Sequence, residues 1–238
     1  MPVTRIFFLL CILFLTGCAA PGGHSNPKDP FEGFNRGTYR FNQTLDDAVL
    51  KPVAQGYTKA TPKAVQNMLH NFFSNLDDVV VTFNDLLQLK LAQAASDGTR
   101  VIINSTFGVF GLINVANRLE KHNEDFGQTL GYWGVNSGPY VVIPFLGPSN
   151  VRDGIGLYAD TYPGPISNLD DVALRNQLYI AKGIELRASL LDTEKVVDDT
   201  MLDRYSCIRD AYMMRRQSLV YDGDPPREKY DEEDDNAP

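Results

Sequence analysis

The one position that this sequence marks for chemistry by its neighbours is Cys18. Leu15-Thr16-Gly17-Cys18 closes a run of ten apolar residues, Ile6 to Leu15, with Arg5 ahead of them. Such a run is too short to cross a hydrocarbon core as a helix, which takes about 20 residues. It fits the apolar part of a secretory signal that ends on small residues. Cleavage before Cys18 frees its thiol for acylation. Residues 1–17 are therefore expected to leave as a lipoprotein signal peptide, and the mature chain to sit on a membrane of the cell envelope. Each buried methylene contributes about 0.8 kcal/mol, so several acyl chains on one cysteine hold where a single chain does not. Ala19, in place of an aspartate that favours inner-membrane retention, fits delivery to the outer membrane.

Other reactive side chains form no recognisable constellation. His24 falls among polar residues near the N-terminus, His70 on an amphipathic pattern and His122 in a charged stretch. There is no Gly-x-Ser-x-Gly elbow, no His-Glu-x-x-His, no Cys-x-x-Cys pair and no Gly-x-x-x-x-Gly-Lys loop. The corresponding esterase, zinc and nucleotide chemistry therefore has no signature here. The doublets Asp46-Asp47, Asp77-Asp78, Asp170-Asp171 and Asp198-Asp199 offer carboxylates, but adjacent helical positions point about 100° apart. They read as caps and solvated faces. No enzyme, cofactor or metal is expected. Once Cys11 leaves and Cys18 is acylated, Cys207 is the one remaining thiol, so no disulfide forms within the mature chain. Its place among Tyr205, Ile208 and Tyr212 makes it a core position.

The net charge of −8 becomes −9 when Arg5 is removed. An acidic chain argues against nucleic acid as a partner, because neutralising phosphates takes a basic face. It also argues against simple electrostatic docking on anionic lipid. The mature part, from Cys18 onward, is long enough to bury a sizeable core. Residues 18–28, rich in Pro, Gly, Ser and Asn, read as a tether. Residues 222–238 carry eight acids against Arg227 and Lys229 and read as an acidic disordered tail. A folded domain is left over 29–221.

Within it the periodicity is helical. Asp29-Pro30-Phe31-Glu32 reads as a helix start, with Asp29 as cap and Glu32 reaching back. Phe31, Phe34, Phe41, Leu45 and Val49 follow at helical spacing, and a second helix opens at Thr61-Pro62 with Val65, Met68, Leu69, Phe72, Phe73 and Leu76 on one stripe. Shorter apolar segments run from Val79 to Leu91. Long helical patterns occupy about 168–191 and 199–220. In the second, Tyr205, Ile208, Tyr212 and Leu219 face one way, leaving Arg204, Arg215 and Arg216 to water. Tyr140 to Ile143, between two prolines, is the one strand-like run. The fold class is mainly α, with at most one short strand or hairpin.

Two stretches depart from an ordinary soluble helical pattern. Val101 to Ala116 is apolar on most sides. Drawn as one helix, it leaves a narrow stripe of Asn104, Gly108, Gly111 and Asn114, then Arg118. It is either a central core helix, broken at its glycines, or a helix in the bilayer whose stripe faces a watery path. Gly127, Gly131, Gly134 and Gly138 recur at spacings that let another backbone approach. Tyr132, Trp133 and Tyr140 beside them are suited to a membrane boundary or to filling a core.

These residues also carry a resemblance. Asp29-Pro30-Phe31-Glu32-Gly33-Phe34-Asn35-Arg36, with Phe41-Asn42 and Leu45-Asp46, resembles the opening motif of the VacJ/MlaA family of outer-membrane lipoproteins. The similarity continues through Asn71 to Leu76 and Arg100 to Gly108. It is densest in Asp125-Phe126-Gly127-Gln128-Thr129-Leu130-Gly131-Tyr132-Trp133-Gly134 and Gly138-Pro139-Tyr140-Val141-Val142-Ile143-Pro144, and ends at Gly147 to Asp153. Asn114 departs from it, standing where the family commonly has Asp. The resemblance implies a ring-like helical domain in the inner leaflet of the outer membrane, lipid-anchored and bound to a trimeric porin. It implies removal of mislocalised phospholipid from the outer leaflet through an amphipathic channel, and transfer to a soluble periplasmic carrier of an Mla-type system.

The channel or lipid-path candidates on this reading are Asn35, Arg36, Phe41, Asn42, Asn104, Gly108, Gly111, Asn114, Gly127, Gly131, Tyr132 and Tyr140, with Cys18 as the site of lipid attachment. The competing expectation is a periplasmic scaffold lipoprotein with a soluble helical core and no lipid channel.

Overall fold

The computed structural model describes residues 29–198 and 203–226. Cys18, the signal, the tether and most of the acidic tail lie outside the described residues. Helix α1 (Glu32–Leu45) runs through a π-helical turn (Asp46–Leu50) into α2 (Lys51–Ala60). Helices α3 (Lys63–Leu87) and α4 (Leu91–Thr106) form a hairpin, and a long loop leads to the short α5 (Phe126–Tyr132). Strands β1 (Tyr140–Ile143) and β2 (Gly147–Asn150) pair antiparallel, Tyr140 opposite Asn150 and Ile143 opposite Gly147. Helices α6 (Val151–Ala159), α7 (Val172–Ser189), α8 (Leu191–Asp198) and α9 (Arg204–Val220) complete the described chain. The protein is mainly helical with one small sheet.

Local chemistry explains most boundaries. Asp125, Asn150, Asp171 and Asp203 each accept a first-turn N–H as the N-cap of α5, α6, α7 and α9. Thr61 and Pro62 are extended, as a residue before proline and a proline opening a helix must be. Pro52 lies within the continuous α1–α2 rod, where it can donate no hydrogen bond. The widened turn just before it lets the helix pass without a clash.

Several expectations need correction. Asp29 does not cap α1, because the N-cap is Phe31, which makes no side-chain cap bond. The apolar segments drawn between Val79 and Leu91 are, up to Leu87, the second half of the unbroken α3. A single helix over 101–116 does not form. Helix α4 stops at Thr106, and Val109, Phe110 and Gly111 all take left-handed backbone. The Asn104 side chain draws the loop back, accepting the Ala116 N–H at 2.9 Å and donating to Asn114 at 3.3 Å. Arg216 does not face water, and Asp78 is buried rather than solvated.

The distribution of side chains is inverted. Among the largest fully buried side chains, all but Tyr140 and Val142 are Asn, Gln, Asp or Thr. Large apolar groups face outward: Phe107 is 75% exposed and Phe110 78%, with Ile102, Ile113 and Val115 beside them. The stripe expected to pack α1 is likewise open at Phe31, Phe34, Phe41 and Val49. Cys207 is half-buried and free. Among the described residues no helix is long and apolar enough to cross a membrane.

Buried polar groups need partners, and their pairing traces the architecture. Packing contacts lead from α1 to β1, across to β2, then to α9, α5, α3, α7, α2 and, through the π turn, back to α1. This circuit is closed where the start of the described chain meets α9. The Asp29 carboxylate accepts from Asn35 at 2.8 Å, from the Tyr205 hydroxyl at 2.5 Å and from Arg209 at 3.4 Å. Asn35 then serves β1 in place of a neighbouring strand, donating to Tyr140 O at 3.0 Å and accepting from Val142 N at 2.9 Å.

Replacing Asn35 with Ala strands a backbone donor and acceptor and deprives Asp29 of one donor. Asn35→Ala is expected to lower unfolding free energy by about 3 kcal/mol, read by denaturant titration in detergent. A loss under about 0.5 kcal/mol, the scale of surface changes, would contradict this role.

Asp85 is one of the exceptions to the pairing. It is fully buried and neither carboxylate oxygen has a hydrogen-bond partner. Burial, then the charges of Asp97 and Glu124, push its pKa up to about 7. The unfolded chain releases this proton near the ordinary carboxylate value of about 4, so Asp85 costs stability as pH rises from there to about 7 and no more beyond. Asp85→Asn is therefore expected to gain thermal stability over wild type as pH is raised through that window. A difference independent of pH would refute the assignment.

Candidate functional site

Inside the circuit lies a cavity of about 940 Å³, walled by α3, the loop before α5, β1 and its turn, α6, α7 and α9. Its lining has two characters. Leu76, Val80, Ile143, Leu146, Leu157 and Leu219 supply apolar surface. Asp77, Glu124, Asp125, Asp160, Lys182, Arg215 and Arg216 supply charge. Such a space can take a molecule that is itself charged at one end and apolar at the other. Its volume is at the upper end of ordinary ligand pockets, about 300–1,000 Å³.

The charged wall is built by convergence. The Arg216 guanidinium lies 2.5 and 2.8 Å from the two Asp125 oxygens and 2.8 Å from Asp153. Burial pushes the Asp125 carboxyl up, but Arg216 outweighs it and holds the pKa below the usual value. Arg152 pairs with Asp153 at 2.9 Å, and Tyr212 donates to Asp153 at 2.8 Å. Asp160 accepts the Phe126 N–H at 3.0 Å and the Asn84 amide at 2.8 Å, while burial raises its pKa to about 6. From Asn84 a buried chain continues: Thr129 donates to Asn84, Gln88 to Thr129 and Glu124, and Lys90 to Glu124 and Asp222. Among the described residues no group of His, Cys, Asp and Glu could hold a metal ion. His70 contacts Glu185 at 2.9 Å and His122 contacts Asp97 at 2.6 Å.

None of the twelve residues singled out from the sequence is among those lining this cavity. They form three groups around it. In the first, Asn35 and Asn42 lie seven residues apart, on one face of α1. Asn35 holds β1, and Asn42 holds its turn, donating to Ile143 O at 3.0 Å and accepting from Phe145 N at 2.8 Å. Phe41 meets the Phe145 ring edge-on at 5.4 Å. Tyr140 is buried against Tyr205 and Tyr212. Arg36 pairs with Glu32 and Asp203, both at 2.7 Å, and lies over the Tyr205 ring. This group positions Ile143 and Leu146, which do line the cavity.

The second group, Asn104, Gly108, Gly111 and Asn114, shapes the loop that displays Phe107 and Phe110. A Cβ at Gly108 would lie 2.1 Å from Ile113 O, and Gly111 has φ +89° with Asn75 against it. The third group sits at the crossing of α5 and α6. A Cβ at Gly156 would lie 2.3 Å from Gly127 N, and one at Gly131 would strike Arg152 and Val220. Tyr132 is exposed, with Lys90 5.5 Å from its ring centre.

Apart from Asp125, which opens the densest family motif, the charged lining residues were missed because no local pattern joins them. Asp77 belongs to a doublet that reads as solvated, Arg215 and Arg216 to a helix face that reads as wet, and Asp160 to no motif.

Comparison with known proteins places this architecture. The family model described as MlaA lipoprotein matches residues 27–219. The intermembrane phospholipid transport system lipoprotein MlaA of Escherichia coli strain K12 is 36% identical over 219 residues, covering 88% of this chain and 86% of its own. The protein of that name from Haemophilus influenzae is 31% identical, covering 92% of this chain and 91% of its own. A solved structure from work on the structural basis for maintenance of bacterial outer membrane lipid asymmetry superposes with a TM-score of 0.72 at 33% identity. It covers 81% of this chain and 98% of its own. A chain with these motifs, this hairpin-clasped helical circuit and these relatives belongs to the MlaA lipoprotein family.

Proposed function

We propose that this chain is an outer-membrane lipoprotein that removes mislocalised phospholipid from the outer leaflet through its central cavity. It would pass the lipid to a soluble periplasmic carrier, and so maintain lipid asymmetry without breaking bonds. Acylated Cys18 is the delivery tag and first anchor, the helical circuit lies in the inner leaflet, and a trimeric porin is its companion in the membrane. The names of the Escherichia coli and Haemophilus influenzae relatives support intermembrane phospholipid transport.

The observation that carries the reading is the cavity of mixed character inside a chain with an apolar exterior and a polar interior. A headgroup needs the charged wall and acyl chains need the apolar one. Outward Phe107, Val109, Phe110, Ile113 and Val115 give the domain its own hold on a leaflet. At about 1.5–3 kcal/mol for each large side chain buried, these five contribute on the order of 10 kcal/mol. On this reading Asn35, Asn42 and Tyr140 keep the hairpin wall in place, Gly127 and Gly131 let α5 close on its neighbours, and the Asn104–Asn114 loop enters the lipid.

A chain beginning at residue 18 with Cys18→Ser is expected to require detergent even without its acyl chains. Its behaviour as a detergent-free monomer in gel filtration would defeat the embedded reading and favour a soluble scaffold.

Asn42→Ala should cut the turn of the hairpin loose while costing only about 1 kcal/mol of stability, the scale of such hydrogen bonds. Outer-leaflet phospholipid, measured by surface labelling of cells, is expected to depart from the wild-type level at unchanged protein abundance. Unaltered labelling would remove the hairpin from the path.

A further inference from the structure

The cavity's charges do not all cancel, and the remainder has a pattern. Its lining includes four carboxylates and three cations from distant parts of the chain. Asp77 is paired with Lys182, Glu124 with Lys90, and Asp125 with Arg216. That leaves one group of each sign. Arg215 is exposed and has no carboxylate within ion-pair distance among the described residues. Asp160 binds only neutral donors, the Phe126 N–H and the Asn84 amide.

We propose that these two residues read a zwitterionic phospholipid headgroup, Arg215 taking the phosphodiester and Asp160 the ammonium. The inference rests on the lipid-path reading and adds the headgroup class to it. A guanidinium suits a phosphate because its planar fork donates two parallel hydrogen bonds. The carboxylate is already held in place by Asn84 and the first turn of α5, so it needs no reorganisation to meet a cation. It makes no ion pair with a described residue, and burial outweighs its hydrogen bonds and the more distant Arg216 charge to raise its pKa to about 6. An ammonium would supply the partner. An anionic phosphoglycerol headgroup satisfies Arg215 but brings nothing for Asp160. A phosphate monoester adds a second negative charge beside four carboxylates.

The test uses the full acylated chain purified in detergent, incubated with mixed micelles of equimolar phosphatidylethanolamine and phosphatidylglycerol, then repurified and extracted. Wild type is expected to retain the ethanolamine lipid in about fivefold excess, and Arg215→Gln to retain about tenfold less phospholipid of either kind, as loss of a charge-assisted contact implies. Arg215→Lys should recover part of that loss. Asp160→Asn should bring the two lipids to equal shares with the total little changed. Thermal unfolding of each variant separates these effects from misfolding, and the wild-type ratio with the Arg215 pair decides the matter if Asp160→Asn does not fold.

Equal retention of both lipids by wild type, or Arg215→Gln behaving as wild type, overturns the headgroup assignment and leaves the lipid path standing. A wild-type chain that retains no phospholipid overturns both. Equimolar glycerophosphoethanolamine, which has the headgroup without acyl chains, should leave retention unchanged. Displacement by it would make the site one for a free phosphodiester and overturn the assignment to lipid.

Discussion

The constraint on which the structure depends is that a buried polar group must find a partner inside the protein. Most folds meet it by keeping such groups few. Here buried polar residues outnumber buried apolar ones, and many large apolar side chains are turned outward. Hydrogen bonds then do what hydrophobic packing does elsewhere, and with direction. Asn35 takes the place of a third strand, Asn42 fastens a turn, Asn104 folds a helix end back on itself, and Asn84 joins Asp160 to Thr129. Asparagine suits all four places, since its amide offers a donor and an acceptor side by side, as a backbone does. The apolar exterior and the polar interior are two results of the same inversion.

Much of the fold was legible. Helical spacing identified the first part of α3, then α7 and α9, and placed the break at Thr61-Pro62, because those patterns report local geometry. Tyr140 to Ile143 was recognisable as a strand from its flanking prolines. What was not legible depended on contacts far apart in sequence. Asp29 looks like a helix cap, yet its partners Tyr205 and Arg209 are near the other end of the chain. The stretch from Val101 to Ala116 reads as a continuous helix because periodicity cannot register that Asn104 captures the Ala116 N–H. Apolar stripes on α1 announced a buried face without saying whether protein would cover it.

The candidate site shows the same division more sharply. The family motifs pointed to residues that frame the cavity: the Asn35–Asn42 clasp, the glycines of the α5–α6 crossing and the loop beyond α4. These positions are spelled out in short words of sequence because tight turns and close approaches are local requirements. The lining itself comes from single residues on separate elements. Asp77, Asp160, Lys182 and Arg215 share no spacing, and each alone resembles an ordinary surface charge.

The clasp at Asp29 sets an order of assembly. Its carboxylate sits at the start of the described chain, while Tyr205 and Arg209 belong to the last helix. The bonds that close the circuit therefore span nearly the whole domain. During synthesis the N-terminal partner emerges first and has to wait for α9. Until α9 arrives, β1 can be fastened to α1, but the carboxylate between them lacks two of its three donors. Closure of such long loops is slow, because their entropy is lost before the contacts form. Throughout that interval the outward Phe and Leu side chains are already present and uncovered. A chain built this way is most open to aggregation before its last helix arrives.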